Sequence, residues 1–228
     1  MPLTVSVVIA TCNGERFLAQ ALDSVAAQTR PPTEILVVDD GSADGTRAVV
    51  AGYPDVRWLS QTNQGPGSAR NAGVAASGGD LVALLDQDDL WEPAKLERQV
   101  AYLEGHAEVG FVGALRMEFL EPGDAPPVWV RHLGVEVPSC EPSALVVRRA
   151  VFDRVGPFDA SYRFSSDVEW LVRARDMGIK DVVIPELLVR RRVHAGNDTH
   201  AAHAAAGEVR RILLSSIRRK RQQGRSPE

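Results

Sequence analysis

Between residues 5 and 85 the chain carries four short, largely apolar runs, each too brief to be a helix and each separated from the next by a polar or helix-patterned segment. Residues 5–10 (Val-Ser-Val-Val-Ile-Ala) and 35–38 are rich in β-branched side chains, and residues 56–59 and 81–85 follow. Runs of this kind, bounded by turn residues, read as strands buried on both faces. After the first run, Asn13 and Glu15 open a helix whose buried stripe is Phe17, Leu18, Ala21, Leu22 and Val25, and Pro31-Pro32 closes it. Asp44 caps a short helix reaching Ala51. Another helix covers 68–76, and Gly78-Gly79-Asp80 turns the chain into the fourth strand. This alternation predicts an α/β fold with a mostly parallel, doubly wound sheet.

The second half is less regular. Residues 93–103 predict a helix with a proline in its first turn, and 109–114 and 116–120 two strands. Residues 121–142 hold five prolines and read as a long loop, which in a compact domain suggests a lid or binding segment. Residues 149–155 and 167–177 predict helices, the second capped by Ser165 or Ser166 and ended by Gly178, with strands at 182–184 and 187–193. The 228 residues suffice for one sizeable α/β core, or two intimately packed halves.

A net charge of -4 argues against a nucleic-acid binder. No apolar run reaches the roughly 18 residues of a membrane span, and the N-terminus lacks the pattern of a signal peptide. The two cysteines, Cys12 and Cys140, form no CxxC pair, so a reduced, cytoplasmic setting is the simpler expectation. From residue 207 the chain is basic, with Val209, Ile212, Leu213 and Ile217 roughly on one helical face. This tail reads either as a packed final helix or as a peripheral membrane contact.

Ligands of open α/β sheets bind beyond the carboxyl ends of the strands. The first strand delivers Thr11 and Asn13 to that edge, the second Asp39 and Asp40, and the fourth Asp86, Gln87, Asp88 and Asp89. Aspartates also cap helices and shape turns. Three carboxylates within four residues directly after a buried strand more naturally hold a hard cation, Mg²⁺ or Mn²⁺, beside substrate phosphates. The segment Gly65-Pro66-Gly67-Ser68-Ala69-Arg70 fails as a dinucleotide fingerprint, because Arg70 replaces the third glycine and the segment follows the third strand. Arg70 makes more sense as a bidentate nucleotide contact.

Four blocks now stand in order: Val-Ser-Val-Val-Ile-Ala-Thr-Cys-Asn-Gly, Ile-Leu-Val-Val-Asp-Asp-Gly-Ser, Asn-Gln-Gly-Pro-Gly-Ser-Ala-Arg-Asn-Ala-Gly and Leu-Leu-Asp-Gln-Asp-Asp-Leu-Trp. In series the chain resembles the family 2 glycosyltransferases, inverting enzymes of GT-A fold. The resemblance implies a single Rossmann-like mixed sheet, with a nucleotide-sugar-binding half over residues 1–92, an acceptor and catalytic-base half over 93–206, and the basic tail over 207–228. It implies that Thr11, Asn13, Glu15, Asp40, Arg70, Asp86 and Gln87 bind the nucleotide sugar, of UDP or TDP type. Asp88 would be the metal ligand, with Mn²⁺ or Mg²⁺ as cofactor, and in Arg190-Arg191-Arg192-Val193-His194-Ala195-Gly196-Asn197, which resembles the family's closing segment, His194 and one of the arginines could reach the diphosphate or the metal.

The family's Glu-Asp pair appears here as Ser166-Asp167, which keeps Asp167 as the catalytic base and replaces the glutamate. A glycan, lipid-linked, peptide or small-molecule acceptor remains open. Two alternatives stand beside this one. A nucleotidyltransferase would be expected to offer a glycine-rich phosphate loop after the first strand. A non-catalytic nucleotide-binding protein finds its support in Ser166.

Overall fold

The computed structural model describes residues 2–127, 130, 132–197 and 202–223, without the side chains of 202–205 and 223. Its N-terminal strands are β1 (Val5–Thr11), β2 (Glu34–Asp39), β3 (Val56–Ser60) and β4 (Leu81–Asp86), all parallel. With β5 (Leu90–Trp91), β6 (Val109–Phe119), β7 (Glu136–Ser139), β8 (Val146–Arg148) and β9 (Lys180–Arg192) they form one mixed sheet. Its order is β3-β2-β1-β4-β8-β6-β9-β5, with β7 added beside β6.

Helices cover both faces, which is why the strands are apolar throughout. Val5, Val7 and Ile9 of β1 pack with Leu18, Leu22 and Val25 of α1 (Leu18–Ala26) and with Leu96, Val100 and Leu103 of α4 (Lys95–Gly105). On the other face Val8, Leu36 and Val38 meet Ala69 of α3 (Pro66–Ala76), Phe152 of α5 (Arg149–Val155) and Trp170 of α6 (Ser166–Asp176). Gly73 lets α3 lie close on the sheet, since a Cβ there would collide with Val8 and Val38. The short α2 (Thr46–Val50) has Gly45 at its N-cap rather than the expected Asp44, which lies one residue earlier and accepts from the Thr46 N–H at 3.0 Å. The last helix, α7 (Ala202–Gln223), lies on α6, with Ile212 buried and Ser216 and Arg219 bound to Asp176.

The differences from the sequence expectations have local causes. The first helix begins at Leu18 rather than near Asn13, because Asn13 takes a positive φ of 52° and residues 12–15 are bound sideways to other loops. The third begins at Pro66, two residues earlier than expected, with proline in its first turn. The predicted pairs of strands at 109–120 and 182–193 are two unbroken strands whose mutual register shifts at three places. The register passes from Ala114↔Ile184 to Leu115↔Leu187, so Pro185 and Glu186 are set out of the ladder, where a residue without an N–H is tolerated. The long loop is shortened by β7 at its end. Strands β5 and β8 were not expected: β5 spans two residues and pairs with β9 far along the chain, and β8 has three residues between β4 and β6. No helix among the described residues is long and apolar enough to cross a membrane.

Candidate active site

A cleft of about 880 Å³ opens beyond the carboxyl ends of β1, β2 and β4. Thr11, Asp40, Arg70, Asp86, Gln87, Asp88, Asp167 and His194 all line it. Asn13 and Glu15 are not among the residues that line it. They join the loop after β1 to the loop after β2: Asn13 Oδ1 accepts from the Ala43 N–H at 2.9 Å, and Glu15 Oε2 from the Gly45 N–H at 2.9 Å.

The loop after β1 has its own N–H groups occupied. Cys12 donates to Gln87 Oε1 at 2.9 Å, Asn13 to Ser42 Oγ at 2.8 Å, Gly14 to Thr46 Oγ1 at 2.8 Å and Glu15 to Asp44 Oδ2 at 3.1 Å. A phosphate cradle needs such N–H groups free and convergent. This loop therefore lacks the feature a nucleotidyltransferase would use. Gln87 closes the ring by donating from Nε2 to the Cys12 carbonyl at 3.2 Å and accepting from Thr11 Oγ1 at 2.5 Å.

Asp40 is 3% exposed. It accepts from Gln61 Nε2 and the Gln64 N–H at Oδ1, both at 2.8 Å, and from the Gly65 N–H at Oδ2 at 2.7 Å. Its carboxylate thus shapes the loop that leads into α3. Arg70, on α3, is nearly buried and bonds Asp86 Oδ1 at 2.7 Å. Burial pulls its pKa down, and the carboxylates of Asp86, Asp167 and Asp88 more than offset that, so the guanidinium is held firmly charged.

Asp88 Oδ2 receives His194 Nε2 and Asn197 Nδ2, each at 3.0 Å. His194 Nδ1 accepts from the Gly196 N–H at 3.1 Å, so the ring proton sits on Nε2 and points at Asp88. The neighbouring Asp89 is buried between Ser143 Oγ at 2.6 Å and the Arg192 N–H at 3.0 Å. Burial first, and then the Asp88 and Asp86 charges, push its carboxyl well above the usual carboxylate range. Fully buried Arg192 donates from Nε to the Asp88 carbonyl at 2.8 Å and pairs with Glu121, its plane between the Phe17 and Phe119 rings.

Asp167 stands in the first turn of α6, half-buried. Burial pushes its carboxyl above the usual range, against the pull of Arg70 and the Val168 N–H. Ser166 is 2% exposed and faces Gly67 of α3, where an added Cβ would lie 2.9 Å from its Oγ. The small side chain thus suits the close approach of α6 to α3.

The donor set fits a hard cation: carboxylate oxygens and one imidazole, all in one cleft. Among the described residues no three His, Cys, Asp or Glu side chains converge tightly enough to cage an ion alone. Mg²⁺ commonly takes one or two carboxylates and completes its shell with substrate phosphates and water.

Sequence reasoning missed Glu141, Arg163 and Phe164, which also line the cleft, as do Arg191 and Asn197. Asn197 lay in the segment already singled out around His194. Glu141 carried no signal of its own inside a proline-rich stretch.

The family profile described as "Glycosyl transferase family 2" matches residues 6–167, which carry every strand of the nucleotide edge and end on Asp167. The chain belongs to that family. An uncharacterised glycosyltransferase of Nostoc sp. is 33% identical to it, over 90% of this chain and 70% of that one. The succinoglycan biosynthesis protein ExoO of Rhizobium meliloti is 43% identical over a shorter stretch, 42% of this chain and 28% of that one.

Among solved structures, the mannosyltransferase PcManGT of Pyrobaculum calidifontis, in complex with GDP-Man and Mn²⁺, has a TM-score of 0.73 at 22% identity. That match covers 96% of this glycosyltransferase and 65% of PcManGT. S. aureus TarS with UDP gives 0.69 at 23% identity, covering 84% and 61%. The likeness shows the GT-A fold. Against several curated relatives the chain spans 61–70% of their length.

Proposed function

We propose that this chain transfers a sugar from a nucleoside-diphosphate sugar to an acceptor hydroxyl, with inversion, assisted by Mn²⁺ or Mg²⁺. The observation that carries this is the convergence of Asp40, Arg70, Asp86, Asp88 and Asp167 in one cleft at the strand ends. Asp40 and the loop it shapes receive the base, of a UDP, TDP or GDP donor. Arg70 faces the ribose and diphosphate, held by Asp86. Asp88, oriented by His194 and Asn197, is the protein's metal ligand. When bound, the cation supplies Lewis-acid stabilisation of the leaving diphosphate. His194 would have to lose its Nε2 proton to join it as a ligand.

Asp167 takes the proton of the attacking hydroxyl while the oxygen bonds to the anomeric carbon and the diphosphate departs from the opposite face. No protein nucleophile is required. A carboxyl raised by burial is better matched to this task near neutral pH than an ordinary one. The whole protein's donor and acceptor belong to the same proposal, and so does a cytoplasmic setting.

The test is calorimetry of UDP, TDP and GDP in Mn²⁺, followed by turnover of the corresponding sugars by wild type and Asp88→Asn. One nucleotide should bind in the presence of the cation, and the variant should lose cation-dependent turnover while melting like wild type. If none of the three binds, the proposal fails. Wild-type turnover by the variant would remove Asp88 from the metal site.

A further inference from the structure

Glu141 has no task in the chemistry above, yet it is built into the cleft with unusual support. Its side chain is 44% exposed, and Oε2 forms ion pairs with Arg116 Nε at 2.9 Å and Arg191 Nε at 3.7 Å. Both arginines are fixed in turn by buried Glu118, whose Oε1 lies 3.0 Å from Arg116 Nη1 and 2.9 Å from Arg191 Nη1. Strands β6 and β9 thus supply one carboxylate and two guanidinium groups, and Glu141, in the turn after β7, adds the second carboxylate. A lone exposed ion pair contributes about 0–1 kcal/mol and needs no such scaffold. A scaffold of this kind serves to hold a binding group in one place. Oε1 of Glu141 has no partner among the described residues.

Glu141 lines the same cleft as Asp167. Phe164, Val168 of α6 and Val209 of α7 add apolar surface to it, Val168 and Val209 each 40% exposed. The segment bearing Phe164 is held by Glu208 of α7, which accepts from the Arg163 N–H at 2.8 Å and the Phe164 N–H at 3.1 Å. The charges select the ligand. The donor proposal takes Arg70, Asp86 and Asp88; of the charges left in the cleft, Asp167 and Glu141 disfavour an anion, and Arg163 and Arg191 disfavour a cation. A neutral molecule remains that donates several hydrogen bonds and has an apolar face, which describes a pyranose.

The geometry points to an acceptor-sugar subsite in which Glu141 and Asp167 accept hydrogen bonds from neighbouring hydroxyls of a glycan acceptor, with Phe164 and Val168 against its apolar face. This rests on the glycosyl-transfer proposal and narrows its acceptor to a carbohydrate. Glu141 binds the hydroxyl beside the nucleophile and moves no proton.

Saturation-transfer NMR tests it on the full chain with Mg²⁺ and the nucleoside diphosphate found by calorimetry, using the methyl pyranosides of glucose, galactose and mannose as probes. At least one should bind to wild type. Its affinity should fall by about tenfold or more in Glu141→Ala and in the isosteric Glu141→Gln, as expected for losing a hydrogen bond to a charged group. Nucleotide affinity and melting temperature should not move. Wild-type glycoside binding by both variants would overturn the subsite. So would the absence of glycoside binding to a wild-type protein that does bind nucleotide. A protein that binds no nucleotide would instead sink the donor proposal, and the subsite with it.

Discussion

Asp167 and Asp40 are both aspartates of one cleft, and their surroundings give them opposite work. Burial raises the Asp167 carboxyl, so it accepts a proton readily at working pH. Asp167→Asn keeps the shape and removes the acceptor. Transfer should fall by about 10²–10⁴-fold, with nucleotide affinity unchanged in calorimetry. The acid limb of the wild-type pH–rate profile should lie above 3.8, the ordinary carboxylate value, and vanish from the variant's residual rate. Asp40, in contrast, accepts three protein donors. Asp40→Ala therefore strands the Gln64 and Gly65 N–H groups as well as losing any contact to the base. Nucleotide binding should weaken by about 1.5–3 kcal/mol, accompanied by a lower melting temperature. An unchanged calorimetric affinity would remove Asp40 from the donor site. Asp40 was singled out because it follows a buried strand directly, and Asp167 through the family resemblance at the head of a predicted helix. Glu141 was not, because its partners Arg116 and Arg191 reach it only through the pairing of β6 with β9.

Helix α4 contains a fully buried lysine. Lys95 lies within the core on the α1 and α4 face, its Nζ 4.1 Å from the centre of the Trp91 ring and without a hydrogen-bond partner among the described residues. Burial pushes it well below its ordinary value of 10.5. The unfolded chain then binds the proton more tightly than the folded one, so this residue's contribution to stability is full above 10.5 and is lost as pH falls towards the lowered folded value. Lys95→Met should stabilise the protein by about 1–3 kcal/mol at neutral pH and flatten that dependence, as read by thermal melts across pH. A variant less stable than wild type at every pH would mean that the lysine has a partner in solution. The sequence predicted a helix over 93–103, but a lysine in its first turn looks like an ordinary exposed residue. At this scale the predictable parts were those with local signals: strands β1 to β4, and the helices α5 and α6. Strands β5 and β8 hold two and three residues and exist through pairing with distant segments, which no local pattern records. The gaps between the predicted strands, at 115 and at 185–186, fall at register shifts between β6 and β9.

Seen as a whole, the molecule presents one more surface. Helix α7 leaves Val209, Leu213 and Ile217 exposed at 40, 56 and 47%, four residues apart on one face, with Arg210, Lys220 and Arg221 beside them. Ala206 and Val209 also border the cleft. A peripheral membrane contact here remains a proposal, and co-sedimentation with vesicles rich in anionic lipid checks it. Wild type should pellet with such vesicles, and Leu213→Glu combined with Ile217→Glu should stay in the supernatant. Equal partitioning of the two would leave α7 as a packed helix. Truncation at Ala206 is a poorer probe, since it also removes Glu208 and its hold on the Phe164 segment. The two ends of the cleft share a single support in β9. Arg191 turns to Glu118 and Glu141, and its neighbour Arg192 turns to Asp88 and Gln20, because successive side chains of a strand leave opposite faces. One strand thus works as a caliper, its jaws the two sides of a single β ladder. The gap between them is set by covalent geometry, so a lineage of such chains could retool its choice of acceptor by rewriting loops while the span from donor to acceptor stayed the same.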